Sequence, residues 1–228
     1  MKKTSTPEDG IAKSKSKGTV PAADIDFGTV ANNVATKWNE TPSISLVWTT
    51  ASEFTTQAAA YNTELSLRNQ VGGGRPQITQ ALNELDATMD DALAYVKGYI
   101  IDKYKKEAAS SYYPAFGIEH KNGKYAFARD RNKRVSSLEL MLKGIDDNGF
   151  SDKEFGTSFW TGIKTQYEGL VNQASSTDGT ISSKVSAKNE LKASLKKALN
   201  SLILVIHGNY PETYKAELRT WGFQKEKY

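Results

Sequence analysis

Large apolar side chains recur at intervals of three and four residues along most of this chain. That spacing places them on one face of an α-helix. The longest stripe belongs to a third predicted helix, which we expect to reach Ala109 and which carries Ile78, Leu82, Leu85, Met89, Leu93, Val96, Ile100 and Tyr104. Consecutive amphipathic helices joined by short turns usually pack antiparallel. The pattern therefore predicts a mainly α fold, a multi-helix antiparallel bundle.

Two helices are predicted before this one. The first follows Asp24 and is interrupted at Thr41-Pro42, because a residue that precedes proline is pushed out of helical geometry. The second begins with Thr50 or Ser52 as its N-cap and ends at the glycines of residues 72–74. The apolar side chains of the first helix are expected near one face: Ile25, Phe27, Val30, Val34 and Trp38.

The helical pattern is interrupted after the third helix. Residues 118–127 read as two short strands on either side of Asn122-Gly123, a pair that supplies the positive φ angles of a type I′ turn. We therefore expect one small β-hairpin near residues 116–127. Because an isolated hairpin is marginally stable in water, it should pack against the bundle.

Three further helices and a short final one are predicted after the hairpin. The fourth helix ends at Asn148-Gly149. The fifth starts at Ser151 or Asp152, and a polar loop at residues 175–179 separates it from the sixth. The final helix opens at Pro211, a residue that the first turn of a helix tolerates.

The first residues of the chain differ from the rest in composition. They are rich in Lys, Ser, Thr, Gly and Pro and contain almost no large apolar groups. Such a segment cannot recover the entropy of ordering by packing against its own chain. We therefore divide the chain into an extended or disordered tail, residues 1–22, and a single helical-bundle domain, residues 23–228.

The composition excludes several kinds of chemistry and indicates a compartment. There is no cysteine, so disulfides, thiolate metal sites and thiol nucleophiles are excluded.

The two lysines at the start are followed by polar residues, where a signal peptide would have an apolar stretch. We expect a cytoplasmic location, and association with a surface or particle by a non-classical route stays open. The apolar run at residues 202–206 is far shorter than the ~20 residues of a membrane span, so no span is expected.

The candidate catalytic groups are few. The two histidines, His120 in the hairpin and His207 near a helix end, have no carboxylate spaced as a metal or triad partner. We expect no cofactor, no metal site and no enzymatic activity. An enzyme with a site that these patterns do not reveal remains an alternative.

Basic residues suggest an anionic partner, since the formal net charge is +4. One cluster follows the hairpin near Tyr125 and Phe127, and charge with aromatic stacking can bind nucleic acid; its members are Arg129, Arg131, Lys133 and Arg134. A second group repeats every four residues on the sixth helix, comprising Lys184, Lys188, Lys192 and Lys196. The alternative for this lysine row is an outer helix face whose lysine stems cover apolar surface. A nucleic-acid-binding module is therefore the second function hypothesis.

The C-terminal segment is unusually aromatic. A short helix cannot bury several aromatic rings against itself, so they must dock on the parent bundle or on another subunit. The leading hypothesis is a non-enzymatic structural or assembly protein, whose partners are copies of itself. The predicted assembly residues lie in the tail and in this segment: Lys13, Lys15, Lys17, Val20, Tyr210, Tyr214, Trp221 and Phe223.

Overall fold

The computed structural model describes residues 19–224 and is mainly α-helical with one small hairpin, which confirms the predicted fold class. The predicted tail lies almost wholly outside the described residues. The chain divides into two compact units. Unit 1 contains the residues up to Leu67 and those from Lys184 onward, and unit 2 runs from Arg68 to Ser183. The single domain over residues 23–228 stays a prediction.

Unit 1 consists of helices that pack around one apolar core. Its elements are α1 (Asp24–Asn39), most of α2 (Ala51–Gly73), the second half of α6 (Thr157–Asn209) and α7 (Tyr214–Thr220). Helices α1 and α2 are antiparallel, because Phe27 packs on Tyr61 near one end and Trp38 packs on Phe54 near the other. The core of this unit includes Val34, Ala58, Leu195, Leu199, Leu202 and Ile206.

The start of α2 follows the predicted capping chemistry, with Thr50 and not Ser52 as the cap. The Thr50 side-chain oxygen accepts a hydrogen bond from the Glu53 backbone N–H at 3.2 Å. The Glu53 carboxylate in turn accepts from the Thr50 backbone N–H at 2.9 Å. This reciprocal pair satisfies two backbone donors that the helix itself leaves unpaired. The second bond also lowers the pKa of Glu53.

Unit 2 contains the hairpin and the helices around it. Its elements are α3 (Arg75–Tyr104), α4 (Lys106–Tyr112), a 3₁₀ helix (Tyr113–Phe116), β1 (Glu119–Lys121), β2 (Lys124–Ala126), α5 (Arg131–Asp147), and the adjoining parts of α2 and α6. Its core includes Leu82, Met89, Val96, Phe116, Leu138 and Trp160.

The hairpin is the one predicted from Asn122-Gly123. Strands β1 and β2 are antiparallel, and Asn122 and Gly123 have φ angles of 52° and 74°. Both positions are therefore left-handed, as a type I′ turn requires. Ile118 and Phe127 flank the strands and are buried in the core of unit 2, which ties the hairpin to the helices.

Helix α3 does not continue to Ala109 as predicted. It ends at Tyr104, and Lys105 takes a φ of 69° before α4 begins. A residue with a Cβ adopts this conformation only when its surroundings require it. The turn places the ring of Tyr112 on that of Tyr104, with ring centroids 3.5 Å apart, and brings Tyr113 into the core. Packing thus ends a helix that the apolar period would have extended.

The loop predicted at residues 175–179 is also wrong, since α6 is one continuous helix of 53 residues. Gly179 lies inside it, and a glycine in a helix interior costs only about 1 kcal/mol. Just before it, Asp178 receives two hydrogen bonds from the Arg75 guanidinium, at 2.8 and 3.1 Å. Favourable residues on both sides, together with this ion pair, outweigh the local signals for a break.

Two predicted helix starts and one predicted core position are corrected as well. The helix expected to start at Ser151 or Asp152 starts at Thr157, after a series of turns. The final helix starts three residues after Pro211, at Tyr214. Ile25 lies on the exposed side of α1, away from the core face to which it was assigned.

Candidate functional site

The lysine row of α6 turns three of its four members toward carboxylates of unit 1. Lys184 lies 3.2 Å from a Glu64 carboxylate oxygen. Lys188 and Lys192 both pair with Asp24, the latter at 2.6 Å. Lys196 is exposed. The four-residue spacing does mark one face of the helix, but most of that face is covered by the carboxylates of α1 and α2.

Asp24 is the centre of this arrangement. Burial raises the pKa of its carboxyl, but hydrogen bonds from Lys188 and Lys192 and their charges outweigh burial and hold the pKa at about 2. Tyr61 donates to the Asp24 backbone oxygen at 3.0 Å and lies 3.3 Å from the carboxylate. Lys188 is only 7% exposed. Lys184, Lys188 and Lys192 are therefore paired within unit 1, and nucleic-acid contacts by the lysine row stay a prediction.

Two members of the predicted arginine cluster are also used within their own unit. Arg134 is buried, donates to the Ala128 backbone oxygen at 2.9 Å and pairs with the Asp86 carboxylate. Arg131 donates to the Asn83 side chain at 3.2 Å. Beside the ion pair, burial and the Asp86 charge raise the pKa of the Tyr167 hydroxyl. The sequence did not reveal the ion pair between Arg134 and Asp86, because the two residues are 48 positions apart.

The other two members of the cluster meet the tip of the hairpin in a basic cleft. We define the basic cleft as the recess of about 190 Å³ whose lining includes the cations Lys121, Lys124, Arg129 and Lys133. Two carboxylates, Glu119 and Asp130, line it as well. Among residues 19–224, none of the four cations has a carboxylate oxygen within 4.0 Å.

Local structure explains how these cations meet. The hairpin register places Lys121 directly opposite Lys124, on either side of the turn. Asp130 is the N-cap of α5 and accepts a hydrogen bond from the Lys133 backbone N–H at 2.9 Å. That cap fixes the start of α5, and Asp130 and Lys133 from this start line the cleft beside Arg129.

The aromatic residues predicted to assist nucleic-acid binding are occupied by other contacts. Phe127 is buried in the core of unit 2. Tyr125 packs on Tyr113 and His120, with ring centroids 4.9 and 4.6 Å apart. Phe127 is too buried to stack on a base, and Tyr125 does not line the cleft, so charge is what the cleft offers to a ligand.

The aromatic C-terminal segment docks on its own unit. Trp221 is 1% exposed and Phe223 is 4% exposed, and both belong to the core of unit 1. Tyr210 and Tyr214 are partly buried against the same core, and Tyr214 also contacts His207. Of the predicted tail contacts, Val20 packs on this core, whereas Lys13, Lys15 and Lys17 lie outside the described residues. The role of these residues in assembly stays a prediction, and Trp221 and Phe223 are not at the surface.

A different apolar feature lies at the surface of unit 1, in the connection between α1 and α2. We call residues 46–49 the corner; a bridge between Leu46 and Thr49 closes it. Val47 at its tip is fully exposed, and Trp48 is 46% exposed. The Lys197 ammonium lies 4.5 Å from the centre of the Trp48 ring. The sequence shows that residues 46–48 are apolar, but nothing in their pattern indicates that Val47 and Trp48 are exposed.

No family model, curated protein or solved structure matches this chain. Functional assignment therefore depends on the residues themselves. None of the helices within residues 19–224 is both long and apolar enough to cross a membrane. Over the same residues, no three side chains of His, Cys, Asp or Glu are grouped to hold a metal ion.

Proposed function

We propose that this chain is a non-enzymatic structural or assembly protein that associates with copies of itself through unit 1. The observation that carries the proposal is the corner, where Val47 and Trp48 stand in solvent. Val47 gains no burial from its own fold, and Trp48 leaves 46% of its surface in solvent. Tryptophan is also one of the residues that most often anchor protein interfaces.

A receptor for the corner lies beside it on the same unit. An apolar groove of about 330 Å³ is lined in part by Trp38, Pro42, Ile44 and Leu46. A projection and a recess next to each other on one surface are what a two-fold interface requires, because each copy then gives and receives the same contact. The occupant that we propose for the groove is therefore the corner of a second copy.

The corner by itself is too small for a stable interface, which buries about 800 Å² per partner. We propose that residues 1–18, which join unit 1 at Thr19, supply the remainder. In this proposal the charges of Lys13, Lys15 and Lys17 pair with exposed carboxylates of the other copy.

Light scattering coupled to size-exclusion chromatography tests the proposal on the full chain. We expect the parent protein to be a dimer at micromolar concentration, and Val47→Ser with Trp48→Ser to shift it to monomer. The matched control is Leu204→Ser, because Leu204 is an exposed apolar residue of the same unit that lies outside the corner. This control should keep the parent mass.

Two results would count against the proposal. If the parent protein stays monomeric across the concentration series, the proposal of self-association is wrong. If the corner variant dimerises as well as the parent, the corner is not part of the interface. Deletion of residues 1–18 then shows whether the tail mediates dimerisation by itself.

A further inference from the structure

The tip of the hairpin holds two like charges in an unfavourable position. Lys121 and Lys124 are directly opposite each other in the register. Side chains in such a pair have Cβ atoms about 4.5–5.5 Å apart, and like charges there destabilise a sheet. The hairpin has only three residues in each strand, so it has little stability to lose. A bound anion between the two ammonium groups would turn this repulsion into attraction.

Other features of the basic cleft add to the same potential. Arg129 and Lys133 approach from the start of α5, and both are exposed. Of the two carboxylates that line the cleft, Asp130 is engaged by the Lys133 N–H, and Glu119 lies at the far end of β1 from the turn. Cations therefore outnumber carboxylates by four to two in the lining.

The size and polarity of the cleft indicate the kind of ligand. At about 190 Å³, it is smaller than the roughly 300–1,000 Å³ of pockets that enclose a complete small molecule. It suits one anionic group of a larger molecule. Arginine and lysine side chains together are typical partners of phosphate.

We propose that the basic cleft binds the phosphate backbone of nucleic acid. Because Phe127, the aromatic residue of the lining, is buried, binding depends on charge and is insensitive to base sequence. This inference does not depend on self-association, since the cleft lies in unit 2 and the corner lies in unit 1. Either proposal can fail while the other stands.

Fluorescence anisotropy of the full chain with labelled DNA of about 20 nucleotides, single-stranded and duplex, at about 50 and 200 mM salt, tests the proposal. The cleft variants are Lys121→Gln with Lys124→Gln, and Arg129→Gln with Lys133→Gln. The control is Lys106→Gln with Lys153→Gln, which removes two exposed charges from unit 2 outside the cleft. Each cleft variant should weaken binding about tenfold and lower the slope of log K against log salt by about 2. The control should bind like the parent.

Three outcomes would overturn the proposal. The first is no binding by the parent at the lower salt concentration. The second is equal weakening in the control, which would show that net charge alone is responsible. The third is displacement of the DNA by polyglutamate of the same charge at equal concentration, which would indicate an acidic protein segment as the ligand. Circular dichroism of all variants confirms that the helices remain intact.

Discussion

Two groups of basic residues that look alike in the sequence behave in opposite ways in the structure. In unit 1, the lysine row of α6 meets carboxylates, and Lys188 and Lys192 share Asp24. In unit 2, the cations of the basic cleft meet one another and have no carboxylate partner among the described residues. Charge spacing along a chain therefore identifies a surface of one element. It does not tell what lies opposite that surface.

The difference has an energetic basis. A buried ammonium such as that of Lys188 loses its hydration, so it needs a charged partner to remain ionised. The cleft cations are exposed and keep their water, so leaving them unpaired costs little. Paired lysines thus support the fold, whereas unpaired ones are available to a ligand. The following predictions test that division, from the largest expected effect to the smallest.

The largest effect is expected from removing the shared carboxylate in unit 1. Asp24→Asn leaves the buried Lys188 without its partner and should lower the free energy of unfolding by about 2–3 kcal/mol. This is below the range for fully buried pairs, because 32% of the Asp24 side chain is exposed. Denaturant unfolding measures the loss. The control Asp26→Asn, at an exposed position of the same helix turn, should change stability by less than about 0.5 kcal/mol. Equal effects of both variants would contradict a specific role for Asp24.

The next effect concerns the turn that brings Lys121 and Lys124 together. Gly123 has a φ of 74° with open space around it, so a side chain there would be strained without clashing. Gly123→Val should destabilise the hairpin by about 1–2 kcal/mol. Hydrogen exchange of the hairpin amides reports the loss, while the helical circular-dichroism signal should stay unchanged. The control Gly98→Ala, inside α3, should not weaken the hairpin. Unchanged amide protection in the valine variant would contradict the turn assignment.

Acid provides a third test, again on Asp24. The carboxyl has a pKa of about 2 in the fold against an ordinary value of 3.8. Its ionised form therefore stabilises the fold above about pH 4, and this contribution is lost as pH falls toward 2. With allowance for solvent screening, the loss should be about 1 kcal/mol. The measured quantity is the difference between parent and Asp24→Asn unfolding free energies across this range. A difference that stays constant with pH would contradict the lowered pKa.

The smallest effect has the opposite sign and belongs to the cleft. Lys121→Glu replaces a like-charge pair with an attractive one and should stabilise the hairpin by about 0.5 kcal/mol. The same change should weaken DNA binding. Hydrogen exchange and anisotropy measure the two effects on one sample. If the variant lowers the hydrogen-exchange protection of the hairpin amides, Lys121 supports the fold. The cleft cations would then not differ from the paired lysines of α6 in this respect.

The sequence by itself determined the features that depend on neighbouring residues. Apolar periodicity located α1, α2 and most of α3. Asn122-Gly123 specified the hairpin turn, and the possible caps Thr50 and Ser52 located the start of α2 to within two residues. Each of these signals acts over a few residues, so each can be recognised without knowing the rest of the fold.

Tertiary structure decided what depends on residues far apart in the chain. The partner of Lys188 lies 164 residues away, and no local pattern records that separation. The break at Lys105, the continuity of α6 through Gly179, and the exposure of Trp48 likewise depend on what packs against each segment. Periodicity shows which side chains share a face. Only the folded chain decides whether that face meets a core, a carboxylate or water, because burial and pairing are set by contacts between elements.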